Sequence, residues 1–169
     1  MTTVVERTPP VSQLSEDEEL LRSSIRSFAT AEIAPRVRDM EEQGVIPREL
    51  IDQLFDIGVM AIEIPDRFGG TSGHFFLSVI TVEELSRIDP SVAVLVDVQN
   101  TLVINALLRW GSDPVQQEFL PRLAKDTVGA YALSEAGSGS DAFALTTRAV
   151  QHGDDYVLNG QKLWVTNGN

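Results

Sequence analysis

The sequence predicts an α+β chain: an all-α helical domain over residues 14–126, then the first strands of an incomplete β domain over residues 127–169. Three observations carry this. Helix-start signals and apolar residues at helical spacing recur as far as Asp126. Beyond Asp126, side chains alternate with a period of two around turn-forming residues. The chain then ends at Asn169, leaving three or four strands with open edges. On that ground the chain is expected to be the front part of a longer protein, or one half of a split one.

Residues 1–13, with the pair Pro9-Pro10, are expected to form a flexible arm. Ser15-Glu-Asp-Glu18 is a capping box, and Leu21, Ile25 and Phe28 follow at helical spacing. Pro35 is expected to close this helix near Ala34. A second helix opens at Pro47 with Leu50, Ile51, Leu54 and Phe55 on one face and Gly58 as its stop. Pro65 to Gly70 is a loop, and Phe75 to Ile88 a third helix. Asp89-Pro90 reads as a cap followed by a first-turn proline. Ser91 to Trp110 is too long for a strand and is expected to be a buried helix ended by Gly111, with Asp97 and Asn100 on its wetter or functional side. Asp113-Pro114 caps a short helix through Phe119 and Leu120, its end blurred by Pro121. Gly129 to Ser134 and Lys162 to Thr166 read as strands. Ala144–Val150 and Tyr156–Asn159 flank a hairpin-like turn at Gln151–Asp155.

Composition narrows the function. The 169 residues carry 13 Lys+Arg against 25 Asp+Glu, a formal net charge of -12. That balance disfavours nucleic-acid backbones and anionic lipid. A 43% hydrophobic content suffices for a packed core. No stretch is judged apolar enough over the roughly 18–20 residues needed to span a bilayer. Without cysteine there are no disulfides, thiolate nucleophiles or iron–sulfur ligands. The opening residues lack the basic head and apolar core of a secretory signal, so a cytoplasmic location is expected.

Two segments could carry chemistry. Tyr131-Ala-Leu-Ser-Glu-Ala-Gly-Ser-Gly-Ser-Asp141 places small residues after a strand, where Gly137 and Gly139 allow amides to converge on an anion. On these residues alone a generic Gly/Ser turn is the preferred reading. Glu135 and Asp141 bracket this loop and could hold its backbone. In Gly160-Gln-Lys-Leu-Trp-Val-Thr-Asn-Gly168, a strand would point Trp164 and Thr166 to one face, about 7 Å apart, as a platform and an edge partner for a planar ring. A core Trp beside a surface Thr is the plainer alternative. Glu83 and Glu84 diverge by about 100° on a helix and read as a solvated face. His74 and His152 lie in turn-like contexts and make no metal site.

Together the two segments closely resemble the acyl-CoA dehydrogenase family of flavoproteins. Ile33-Ala-Pro35, Ile64-Pro-Asp-Arg-Phe-Gly-Gly70, Val82-Glu-Glu-Leu-Ser86 and Phe119-Leu-Pro-Arg-Leu123 add to the resemblance. Asp89–Val94 and Gln99-Asn-Thr101 look most like the short/branched-chain and short-chain members. The resemblance implies a β-barrel-like flavin-binding domain after the helices. It implies FAD contacts from Tyr131, Ala132, Leu133 and Ser134 along the ring, Gly139 and Ser140 at the pyrophosphate, and Trp164, Val165 and Thr166, with Thr166 near N5. Ser140 would also touch the acyl-CoA thioester, and Gln99 and Thr101 would line an acyl pocket unless they serve the core. The implied reaction is α,β-dehydrogenation of acyl-CoA, with an electron-transfer flavoprotein as partner and a homo-oligomer when complete. The family's catalytic base is a glutamate in a C-terminal helical domain, so no catalytic residue is expected in this chain. A non-catalytic helical fragment remains the alternative.

Overall fold

Ser15 starts the helical domain through side-chain chemistry. Its Oγ accepts from the Glu18 N–H at 3.3 Å, while the Glu18 carboxylate accepts from the Ser15 N–H at 2.7 Å. Helix α1 runs Glu16–Phe28. The computed structural model describes Pro10 and residues 13–168; the arm expected over 1–13 lies almost wholly outside the described residues.

Pro35 does not close the helix. The backbone widens into a π-helical turn at Ala29–Ile33, tightens to a 3₁₀ turn at Ala34–Arg36, and continues as α2, Val37–Gln43. A regular helix would press the Pro35 ring on the carbonyl four residues back; the altered turns give it room and ask nothing of its missing N–H. The real stop is Gly44, which takes the left-handed conformation at φ 65°.

Helix α3, Arg48–Asp56, buries Leu50 and Leu54. Helix α4, Phe75–Ser86, packs between α1 and the next helix. That next helix opens where expected, with Asp89 Oδ1 accepting from the Ser91 and Val92 N–H groups at 2.7 and 2.9 Å. It runs without a break as α5, Pro90–Asp97, a π-helical stretch at Val98–Ile104, and α6, Asn105–Trp110. These 21 residues are long and apolar enough to cross a bilayer by composition, which corrects the expectation that no such stretch exists. Val92, Ala93, Leu95, Val96, Val98 and Ile104 are buried within the helical bundle, so the segment serves as its core helix. Asn100 is no wet side: it is 1% exposed.

Helix α7, Asp113–Lys125, is capped at Ser112 rather than Asp113 and passes through Pro121. Gln116 sits below the end of α6, where its Nε2 donates to the Leu107, Leu108 and Gly111 carbonyls at 3.0, 3.3 and 3.1 Å. The Leu108 and Gly111 carbonyls lie where a helix end leaves acceptors open, and the Leu107 carbonyl also accepts from the Gly111 N–H at 2.9 Å. The core has two parts: one centred on Ile33, Leu50, Leu54, Met60, Leu85 and Val92, the other on Ile64, Ile104, Leu120 and Leu123.

Glu84 also departs from expectation. Glu83 is exposed, but Glu84 is buried and accepts from Arg26 Nε and the Arg26 Nη2, both at 2.8 Å. This two-pronged pair fastens α4 to α1.

After residue 126 the described ladder is one antiparallel hairpin, β1 Arg148–His152 with β2 Asp155–Asn159. Its two-residue loop has Gly153 at φ 63°, the positive value that hairpins with right-handed twist favour. The first strand is shorter than the expected 144–150 start, because Ala142–Ala144 forms a 3₁₀ turn. Gly129–Ser134 and Lys162–Thr166 are not ladder strands. Trp164 has φ 57°, which breaks an extended run. A strand needs ladder partners on at least one edge, and among the described residues these segments obtain only isolated bonds.

Candidate cofactor site

The two chemistry-bearing segments lie side by side and run antiparallel. The Leu163 N–H donates to the Ser134 carbonyl at 2.9 Å. At the other end, Asn167 Nδ2 donates to the Gly129 carbonyl at 3.2 Å and to the Leu95 carbonyl of α5 at 3.3 Å. Residues separated by some thirty positions in sequence thus form one surface element.

The helical domain holds this element through Gln99, which is fully buried. Gln99 Oε1 accepts from the Gly129 N–H at 2.7 Å, and its Nε2 donates to the Leu123 and Thr127 carbonyls, both at 3.1 Å. Of the two roles open to Gln99 in the sequence, the structure shows the core one. Thr101 is half-buried and donates to Asp97. Asn100 ties the same helix to the 59–62 loop: its Oδ1 accepts from the Ile62 N–H at 3.0 Å and its Nδ2 donates to the Val59 carbonyl at 2.8 Å.

Glu135 closes the Gly/Ser loop. Its backbone exchanges both bonds with Ser138, at 3.0 and 3.1 Å, making a tight two-residue turn over Ala136-Gly137. Ser138 Oγ then donates to the Asp141 carbonyl at 2.7 Å, and Asp141 Oδ1 accepts from the Phe143 N–H at 3.2 Å. The buried Glu135 carboxylate accepts from Lys162 Nζ at 2.7 Å, from the Thr146 N–H and hydroxyl, both at 2.7 Å, and from the Thr147 N–H at 3.0 Å. The Lys162 ammonium first, then the donors of Thr147 and Thr146, hold this carboxyl far below the ordinary range. Glu135 is therefore charged and committed to its partners, as a backbone holder rather than a base. Sequence reasoning missed Lys162, although it is the lone cation of the second segment.

The expected site residues divide as follows. Tyr131, Ala132 and Leu133 are exposed and Ser134 is half-buried. Among the described residues, no N–H from Tyr131 to Ser134 donates to another backbone group. Gly139 and Ser140 are exposed at the loop tip. Val165 and Thr166 are half-buried, and Trp164 is 92% exposed. With Trp164 left-handed, the same-face pairing of Trp164 and Thr166 that a strand would give has no basis in this backbone.

Residues 15–127 match the family model for the acyl-CoA dehydrogenase N-terminal domain, and residues 130–169 match the one for the acyl-CoA dehydrogenase middle domain. The chain belongs to the acyl-CoA dehydrogenase family. It is 47% identical over 159 residues to a probable short/branched chain specific acyl-CoA dehydrogenase of Dictyostelium discoideum, spanning 94% of this chain and 38% of that protein. An acyl-CoA dehydrogenase structure from Geobacillus kaustophilus aligns at TM-score 0.86 and 32% identity, covering 92% of this chain and 41% of that one. A glutaryl-CoA dehydrogenase from Mycobacterium smegmatis, solved in complex with FADH2, aligns at TM-score 0.86 and 31% identity, covering 92% and 40%. The chain thus spans about two-fifths of the length of these relatives.

Acyl-CoA dehydrogenases bind FAD, and the residues present suit such a group. The free N–H row from Tyr131 to Ser134 and the Ser134 hydroxyl match the polar edge of a flavin. Tyr131, Leu133 and Trp164 are exposed and present apolar surface of the kind a flavin ring packs on. At Gly139 an added Cβ would meet nothing within 4 Å, so the loop tip is open to an anion.

Proposed function

We propose that this chain supplies one half of an FAD site in an enzyme that dehydrogenates acyl-CoA thioesters of the short or branched class. Tyr131, Ala132, Leu133 and Ser134 would lie along the flavin, Gly139 and Ser140 at its pyrophosphate, and Trp164, Val165 and Thr166 against its ring. FAD, when bound, supplies the acceptor for the substrate's β-hydrogen. Ser140 would also touch the thioester. The extended 131–134 backbone and the Ser134 hydroxyl would orient the cofactor, and Trp164 would shield one ring face from water.

The single observation that carries this is the bond from the Leu163 N–H to the Ser134 carbonyl, which sets the two FAD-resembling motifs against each other. No residue of the chain matches the family's base, so proton abstraction is assigned to residues outside these 169. An electron-transfer flavoprotein as electron acceptor, a homo-oligomeric complete enzyme and a cytoplasmic location complete the proposal.

One observation favours completion by another polypeptide or segment over a self-sufficient fragment. Both strands of the hairpin are exposed along their whole length, including Val150, Tyr156, Val157 and Leu158, and Phe143 is fully exposed. A two-stranded ribbon gains little stability alone and calls for a covering layer.

Flavin-fluorescence titration tests the site. Trp164→Ala should weaken FAD retention more than Thr166→Val, since it removes more apolar contact. Thr166→Val removes one neutral hydrogen bond, worth about 0.5–1.5 kcal/mol. Equal FAD affinity in wild type and both variants would remove the second motif from the site.

A further inference from the structure

The loop and the second motif could in principle have been joined by backbone pairing. Among the described residues they share a single backbone bond, from the Leu163 N–H to the Ser134 carbonyl, and a carboxylate supplies the rest of the joint. Glu135 is 8% exposed, and its carboxylate receives donors from two separate chain segments: Thr146 and Thr147 on the approach to β1, and Lys162 two residues before Trp164. The Lys162 ammonium also donates to the Leu133 carbonyl at 2.8 Å, so it grips the first motif at a second point. Through its own backbone Glu135 continues Tyr131–Ser134 on one side and closes the turn to Ser138 on the other.

We propose that Glu135, with Lys162, is the positioning residue of the cofactor half-site. The pair makes Leu133–Glu135, Thr146-Thr147 and Lys162–Leu163 one unit before any cofactor arrives, and so aligns the Tyr131–Ser134, Gly139-Ser140 and Trp164–Thr166 contacts. The inference rests on the proposal that these segments meet FAD. Its physical basis is the mismatch between weak local structure and strong local electrostatics. Among the described residues, the two motifs share one backbone–backbone bond, from Leu163 to Ser134. Bonds to an ionised, buried acceptor are roughly twice as strong as neutral ones, so the charged cluster outweighs the backbone contribution. Among the described residues no second anion pairs with Lys162, and Glu135 uses both of its oxygens.

Hydrogen exchange read by mass spectrometry on the 169-residue chain tests this without cofactor. Glu135→Ala should speed exchange about ten-fold or more in peptides covering 144–148 and 160–165 together, while helices between 16 and 125 keep their protection. Lys162→Met should loosen 160–165 and leave 144–148 largely protected, because Thr146 and Thr147 keep their acceptor. Lys162→Arg, which keeps a cationic donor, should retain protection in both. Sodium formate, which can replace the missing carboxylate, should restore protection to Glu135→Ala and not to Lys162→Met. Unchanged exchange in Glu135→Ala, loss confined to one of the two peptides, or indifference to formate would each overturn the proposal. FAD fluorescence titration of residues 14–168 fused to the C-terminal remainder of the Dictyostelium relative, as wild type and as Glu135→Ala, separates its failure from that of the cofactor reading. The expected pattern of exchange with no FAD capture by wild type keeps the clamp and removes the cofactor. FAD capture equal in wild type and Glu135→Ala removes the positioning role.

Discussion

Replacing Gln99 with leucine should unfasten the first motif from the helical domain. The side chain is fully buried and makes three bonds: the Gly129 N–H to Oε1 at 2.7 Å, and Nε2 to the Leu123 and Thr127 carbonyls at 3.1 Å each. Gln99→Leu keeps the volume and removes all three. The Gly129 N–H is left half-buried without an acceptor, which costs about 1–3 kcal/mol, and the two carbonyls add about half as much again. The apolar gain of leucine offsets a part, so the net loss should be about 1–3 kcal/mol. For a chain of this size each kcal/mol lowers Tm by about 2–4 °C, so thermal melts followed by circular dichroism should drop by about 2–12 °C. Gln99→Glu should be worse than leucine. It preserves an acceptor for Gly129 but faces a buried carboxylate with two carbonyl oxygens. A Gln99→Leu variant within about 0.5 kcal/mol of wild type, or a Gln99→Glu variant more stable than Gln99→Leu, would refute this account of the joint.

Other outcomes follow from the same structure. Gly44→Ala should destabilise by about 1 kcal/mol, because φ is 65° and an added Cβ meets nothing within 4 Å, so only the left-handed backbone penalty remains; urea titration measures it. Glu84 and Glu135 both have lowered folded-state pKa values, Glu84 chiefly through its bond from Arg26 and Glu135 chiefly through its bond from Lys162. Their stabilisation is therefore complete above the unfolded carboxyl pKa and is lost as pH falls through the lowered folded values. Denaturant midpoints should fall on acidification from neutral pH, and Glu84→Gln should flatten that slope. The 169-residue chain alone, given FAD and short or branched acyl-CoA, should reduce no dye above a no-protein control.

Much of the helical domain was legible because its signals are local. Ser15 with Glu18, and Asp89 with Pro90, each state a helix start within four residues, and each cap forms as written. The π-helical stretches were not legible. Residues 92–96 are apolar without a polar stripe, so no periodicity reveals a turn one residue wider at 98–104. Glu84, Gln99 and Asn100 show a signal that could have been used. A buried polar side chain amid apolar helix neighbours needs a hydrogen-bond partner from elsewhere in the chain, here Arg26, Gly129 and the Val59–Ile62 loop. The site was legible as two motifs but not as two strands. Alternation reports which face a residue takes if extended, and says nothing of whether the edge finds a partner. Trp164 shows the consequence: without a ladder its backbone turns left-handed.

Fusing residues 14–168 to the C-terminal remainder of the Dictyostelium short/branched chain relative tests the central claim most directly. The account predicts a chimera that retains FAD through gel filtration and reduces dye with short or branched acyl-CoA, with Trp164→Ala lowering flavin retention. A folded chimera that retains no flavin would contradict the assignment of the Tyr131–Ser140 and Trp164–Thr166 segments to the cofactor.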